Sequence, residues 1–326
     1  MKSKEMAAYV PMVQEMADIA IEFLAERGLC FSADYQMPEL SLSLEKRIKV
    51  HGIYNKHNVL AELRRLQRSF AAALAAVSDK EALQAAAEFL TKLALFLEGA
   101  HTEDSGLHVW LQLKQSFEKL EVCFSVKATE PDMTIRLKLW QQLVRLFAKI
   151  QQLEIKQHLS GVFSSEGKIT LYMNNIETIC HERGFDMKAY LQSVLIHEYV
   201  HACHYAAFMD KKISACGDKF SIEDAMLHWS GAYCGKKKAV AVKEGLARYV
   251  QILWCQIHEP VLAGSLRARE YGEYVIHPNW PYVGAQALLC LPLSEADELF
   301  YKLWKMSLID WQPVYELLSQ GLLRVK

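Results

Sequence analysis

Apolar residues recur at helical spacing through most of the chain. From residue 12 to 27 they fall three and four apart and stop before Gly28, which predicts a helix with a glycine stop. Asn58 predicts the cap of a helix through Leu60–Val77, and Ser78 with Glu81 makes a capping box for a helix that ends at Gly99. Further helices are predicted over 107–122 and 132–152. Near residue 156 the period changes: Gly161–Phe163 and Ile169–Met173 read as short strands joined by the turn-prone Ser164-Ser165-Glu166-Gly167. The helical period then returns, with Asp186 as cap of a helix over about 187–208. Residues 208–238 read as a mixed connection with a short helix at 221–229, followed by a helix over 239–258. The stretch 259–281 reads as loop and 282–290 as helix. Ser294 is the expected cap of a helix over 295–306, and a last helix follows Asp310.

With 326 residues and 52% hydrophobic composition the chain is long enough to bury a large core, which excludes a disordered tail. The net charge of -1 gives no long-range attraction to nucleic acid or to an acidic membrane surface, so neither is an expected partner. The basic run Lys236–Lys238 is short and reads as a solvated loop. No segment reaches the roughly 18 to 20 apolar residues that cross a bilayer, and the amino terminus lacks the apolar run of a signal peptide. Eight scattered cysteines without a CxxC pair suggest reduced thiols, so the expected location is the cytoplasm. Cys216 and Cys234, flanking a loop-like stretch, could pair if the protein were exported.

Inside the strongly helical segment stands His197-Glu198-Tyr199-Val200-His201, an HExxH motif. At about 100° per residue, positions i and i+4 share one helix face one turn apart, so two imidazoles can converge on one ion. Glu198, about 100° around from His197, stays out of that pair and is free to take a proton from water. A catalytic zinc needs a third protein ligand and an open fourth position. Glu244, in Lys243-Glu244-Gly245-Leu246-Ala247 at the start of a later apolar helix, offers that ligand.

These residues resemble the gluzincin clan of zinc metallopeptidases, in which HExxH on one helix is followed by a glutamate ligand, often within an EGLA-like motif. The resemblance covers about residues 160–290. Periodicity gives a helical amino-terminal region at 1–155, and the resemblance implies that a zincin-like metallopeptidase domain follows at 156–326 with a small β-hairpin or edge strand and a helical carboxy-terminal part, so the whole chain is expected to be α+β, mostly α. The resemblance implies one zinc ion per chain held by His197, His201 and Glu244, Glu198 as general base, and a peptide or protein as substrate. Ile169–Met173 would be the edge strand that receives an extended substrate, and Gly245 would let the motif helix and the Glu244 helix approach closely. The oxyanion donor would be Tyr282, in Pro281-Tyr282-Val283-Gly284, or His277 before it.

The metzincin extension would need Gly at 204 and His at 207, where the chain has His204 and Ala207, so that class is excluded. His204 is read as a packing or hydrogen-bonding residue with a smaller claim to be a ligand, and Cys203 as core. Where well-known gluzincins carry an acid one turn after the glutamate ligand, this chain has Arg248. Glu223, Asp224 or a backbone carbonyl would then orient a ligand histidine. Two other functions fit the motif: a zinc hydrolase acting on a non-peptide electrophile, and a helical interaction protein without catalysis.

Overall fold

A computed structural model of the protein describes all residues except 1, 32–34, 78–79, 99–102, 126–129, 217–225, 228, 231–235, 268–282 and 324–326. The chain is mostly helical with a small β element, as the periodicity predicts, and divides into two compact units. One holds residues 1–49, 157–271 and 279–326, and the other residues 50–156 with 272–278.

The described residues of the second unit form α2 (Lys56–Ala76), α3 (Glu81–Glu98), α4 (Glu103–Ser125) and α5 (Glu130–Ile150). Val59, Leu63, Leu66 and Phe70 lie on one face of α2 and are buried with Leu83, Leu90 and Leu93 of α3 and Leu143, Leu146 and Ile150 of α5. Phe117 stacks on Phe147 with ring centroids 4.1 Å apart, and Phe89 and Trp110 pack on the same ring. The cap of α2 is Asn55, not Asn58. Asn55 has the extended backbone a cap requires, and its Oδ1 accepts from the His57 N–H at 2.9 Å.

The first unit is built around the motif helix, α7 (Met187–Cys216). Leu191, Leu195, Ile196, Val200, Ala202, Ala206 and Phe208 are buried on all sides of it, so it is enclosed by other elements. One is α1 (Lys2–Glu26), which begins well before residue 12 and carries Pro11 within it. Met16, Ala17, Ala20 and Leu24 of α1 are buried, and Gln192 Nε2 donates to the Met16 carbonyl at 2.8 Å. This packing assigns the first 49 residues to the unit of the motif helix, whereas periodicity grouped them with the helical region at 1–155.

A three-stranded sheet lies in the same unit, in the order β1 (Glu39–Ser43), β5 (Lys168–Tyr172), β4 (Gly161–Ser164). β4 and β5 form the predicted hairpin, antiparallel, with Phe163 opposite Ile169. β1 joins β5 in parallel, Leu40 opposite Ile169. β5 is thus the central strand, and the expectation of an edge strand at Ile169–Met173 is corrected: β4 is the edge, and Met173 begins helix α6 (Met173–Arg183). β2 (Ile48–His51) pairs with β3 (Ile155–His158).

The remaining helices are α8 (Lys236–His258), α9 over residues 260–267, α10 (Val283–Leu289), α11 (Leu293–Ser307) and α12 (Trp311–Leu323). Residues 260–267 are helix where loop was expected, since Pro260 suits a first helical position, where its missing N–H costs nothing. At α11 the Pro292 carbonyl accepts the first helical bond, from Ala296, so the helix starts before Ser294. The last helix follows Asp310 as expected, and the Asp310 Oδ1 accepts from the Gln312 N–H at 3.1 Å. Gly245 serves another helix than the one foreseen. A Cβ there would stand 2.7 Å from Gly284 Cα, so its bare backbone admits α10 and not the motif helix.

Among the described residues, no helix is long and apolar enough to cross a membrane. Cys30, Cys123, Cys180, Cys203, Cys255 and Cys290 are free thiols, and Cys234 lies outside the described residues.

Candidate metal centre

α7 presents His197 and His201 one turn apart, and α8 presents Glu244 to both. His197 Nε2 lies 3.2 Å from Glu244 Oε2 and 3.2 Å from His201 Nε2, and His201 Nε2 lies 3.6 Å from Glu244 Oε2. Three donors each about 2.0 to 2.1 Å from one ion at tetrahedral angles stand roughly 3.3 Å apart. The triangle therefore has the size of a metal site as well as its nitrogen and oxygen donors, and the group could hold a metal ion.

The protonation of the donors suits that use. Burial holds the His197 imidazole down at about 4 against a Glu244 hydrogen bond that raises it, so the ring is neutral and its lone pair is available. Burial alone would raise the Glu244 carboxyl, but the two imidazoles hold it well below the usual carboxylate range, and it is ionised.

Glu198 is outside the triangle, and β4 places it. Ser160 accepts from the Tyr172 N–H at 2.9 Å and Ser164 from the Gly167 N–H at 3.0 Å, so residues 160, 162 and 164 turn their backbone groups toward β5. Residues 161 and 163 face the other way, and the Phe163 N–H donates to Glu198 Oε2 at 2.8 Å. A Cβ on Gly161 would stand 2.8 Å from Glu198 Cγ and 2.9 Å from its Oε1, so only glycine lets the strand lie against this carboxylate. Burial pushes the Glu198 carboxyl up to about 7, countered by the His201 charge and by the Phe163 hydrogen bond.

His204 is not a ligand. Trp229 Nε1 donates to its Nδ1 at 3.2 Å, which leaves the proton on Nε2 to be donated to Ser307 Oγ at 2.8 Å. Trp304 and Trp311 pack on the ring. Cys203 is buried with its Sγ on the Leu29 carbonyl, a core residue as expected. Lys236–Lys238 form the start of α8 and not a loop, with Lys238 Nζ donating to Gln312 Oε1 at 2.6 Å. Tyr282, His277, Glu223 and Asp224 lie outside the described residues.

No protein-family model, curated protein or solved structure matches the chain. The chemistry assigned to the site rests on its residues. Two features were missed in the sequence: the β4 edge beside Glu198, and the neighbourhood of Arg248, which lines the cleft with His197 and Glu198. The i, i+4 spacing of Glu244 and Arg248 puts both on one face of α8 and was the available signal.

Proposed function

We propose that the protein is a zinc-dependent peptidase in which His197, His201 and Glu244 hold one zinc ion and Glu198 is the general base. The observation that carries this is the donor triangle of 3.2, 3.2 and 3.6 Å with a second carboxylate beside it and outside it. Two imidazoles and one carboxylate suit zinc among the common ions, and three protein ligands leave a position open. When bound, zinc supplies a Lewis acid that polarises a carbonyl group and lowers the pKa of water.

The chain's own residues do the rest. Glu198, held near neutrality by burial and aimed by the Phe163 N–H, takes a proton from the attacking water and passes it to the leaving amine nitrogen. Tyr282 and His277 are the candidate donors to the oxyanion. A substrate in extended form suits the edge of β4, where the backbone groups of Gly161 and the Phe163 carbonyl turn outward beside the Phe163 N–H that Glu198 holds. That edge favours a peptide over a compact ester or epoxide.

The test is the metal content of protein purified without chelator, followed by a peptide-library screen analysed by mass spectrometry. About one zinc per chain, as a three-ligand site with one open position holds, together with cleavage supports the proposal. No stoichiometric metal after reconstitution with zinc, or zinc without any cleavage, overturns it. In the same assay Gly161→Ala is expected to keep its zinc and lose up to about 100-fold in kcat, because a displacement near 1 Å of Glu198 is costly in rate. Wild-type kcat in that variant would remove the β4 contact from the mechanism.

A further inference from the structure

Glu198 takes its aim from the Phe163 N–H at 2.8 Å, so whatever seats Phe163 on α7 also seats Glu198. β4 rests on α7 at Gly161 and at Phe163. At Gly161 the bare backbone lies close against the helix, where a Cβ would stand 2.8 Å from Glu198 Cγ and 3.1 Å from Val194 Cγ1. At Phe163 the ring meets that of Tyr205, one turn past His201 on the same face of α7, with centroids 5.8 Å apart. Trp229 stands edge-on to both rings, 6.0 Å from Phe163 and 5.1 Å from Tyr205.

Trp229 lies in the connection between α7 and α8, and both helices hold it. Its Nε1 donates to His204 Nδ1 at 3.2 Å, and the other nitrogen of that imidazole is fixed on Ser307 Oγ at 2.8 Å. Lys243, the residue before Glu244, donates from Nζ to the Trp229 carbonyl at 3.1 Å and sets the same ammonium 3.6 Å from the centre of a ring of the indole. The N–H, the carbonyl and one face of this half-buried residue are thus all engaged. Its anchors come from the two helices that carry the candidate metal donors, and its free edge bears on the strand that aims the carboxylate.

Resting on the peptidase reading, we propose that Trp229 is a positioning residue for the general base: clamped by His204 and Lys243, it presses Phe163 onto α7 and so keeps the Phe163 N–H on Glu198. Neighbouring amides of β4 separate this role from plain packing. The Val162 N–H turns toward β5 with the backbone groups of residues 160 and 164, whereas the Phe163 N–H turns to Glu198. Without the indole the hairpin can rock off α7 as a unit. That motion releases the Phe163 amide and leaves the Val162 amide paired.

The test uses full-length, zinc-loaded protein, hydrogen exchange at single-residue resolution, and steady-state kinetics on a peptide from the library screen. In Trp229→Ala the Phe163 amide is expected to exchange about 10-fold or more faster than in wild type, the equilibrium weight of one or two edge-on ring pairs, while the Val162 amide keeps its rate. Zinc content and KM should stay near wild type and kcat should fall about 10 to 100-fold, since a displacement near 1 Å of a catalytic group is costly in rate. Trp229→Phe keeps a ring and loses the Nε1 donor, so it should lie between the two on both readouts, and it carries the comparison if Trp229→Ala does not fold. Unchanged exchange at Phe163 overturns the proposal. So does an equal loss of protection at Val162, which would make Trp229 a stabiliser of the hairpin, or a raised KM at wild-type kcat, which would make it a substrate contact. Faster exchange at Phe163 in the variants, with no peptide cleaved by wild type, keeps the clamp on Glu198 and sinks the peptidase reading instead.

Discussion

His201→Ala protein is expected to leave a chelator-free purification almost without metal, where wild type is expected to carry about one zinc per chain. His201 Nε2 closes two sides of the donor triangle, at 3.2 Å to His197 and 3.6 Å to Glu244. Without it only two donors remain. Loss of a residue that merely supports a metal ligand costs about 10 to 100-fold in affinity, so loss of a ligand should exceed that. Hydrolysis should fall to background with it. A second readout follows from linkage: an ion that binds only the folded chain stabilises it by about 4 kcal/mol at 1,000 times its Kd, so zinc should raise the Tm of wild type and not of the variant. Metal analysis and a thermal melt check both. A variant that binds zinc as wild type does would take His201 out of the ligand set.

Glu198→Gln separates the base from the ligands. The amide has the shape of the carboxylate and its oxygen can still accept from the Phe163 N–H, so the strand, the helix and the donor triangle should stay where they are. What is lost is the capacity to take a proton. Zinc content and KM should stay near wild type while kcat falls by about 100 to 10,000-fold, the usual worth of a general base. Steady-state kinetics beside metal analysis distinguish this from unfolding. Full turnover in this variant would mean that another group accepts the proton.

Much of the helical pattern was legible because helices announce themselves locally. Glu81–Glu98 was legible from its apolar period, the expected cap Ser78 and stop Gly99 lying outside the described residues, and the β4–β5 hairpin from the turn between its strands. Errors fell where a neighbour elsewhere in the chain decided the outcome. Ile169–Met173 looked like an edge strand because its second partner, β1, comes from residues 39–43, far away in the sequence. Gly245 was foreseen as a close-packing residue, but the helix it admits is α10. The loop expected after Glu259 gave way to a helix that Pro260 could have signalled, since proline both ends and begins helices.

By itself the sequence determined the chemical inventory: two histidines one turn apart on a helix, a glutamate between them out of phase, and a second glutamate heading a later helix. Helical geometry made the first pair converge, because i and i+4 share a face whatever surrounds them. Only the tertiary structure decided that Glu244 meets that pair at 3.2 and 3.6 Å, that the edge of β4 holds Glu198, and that Arg248 is buried beside them. Those facts depend on how separate elements pack, and packing is set by contacts between residues far apart in the chain, which periodicity along a single segment does not encode.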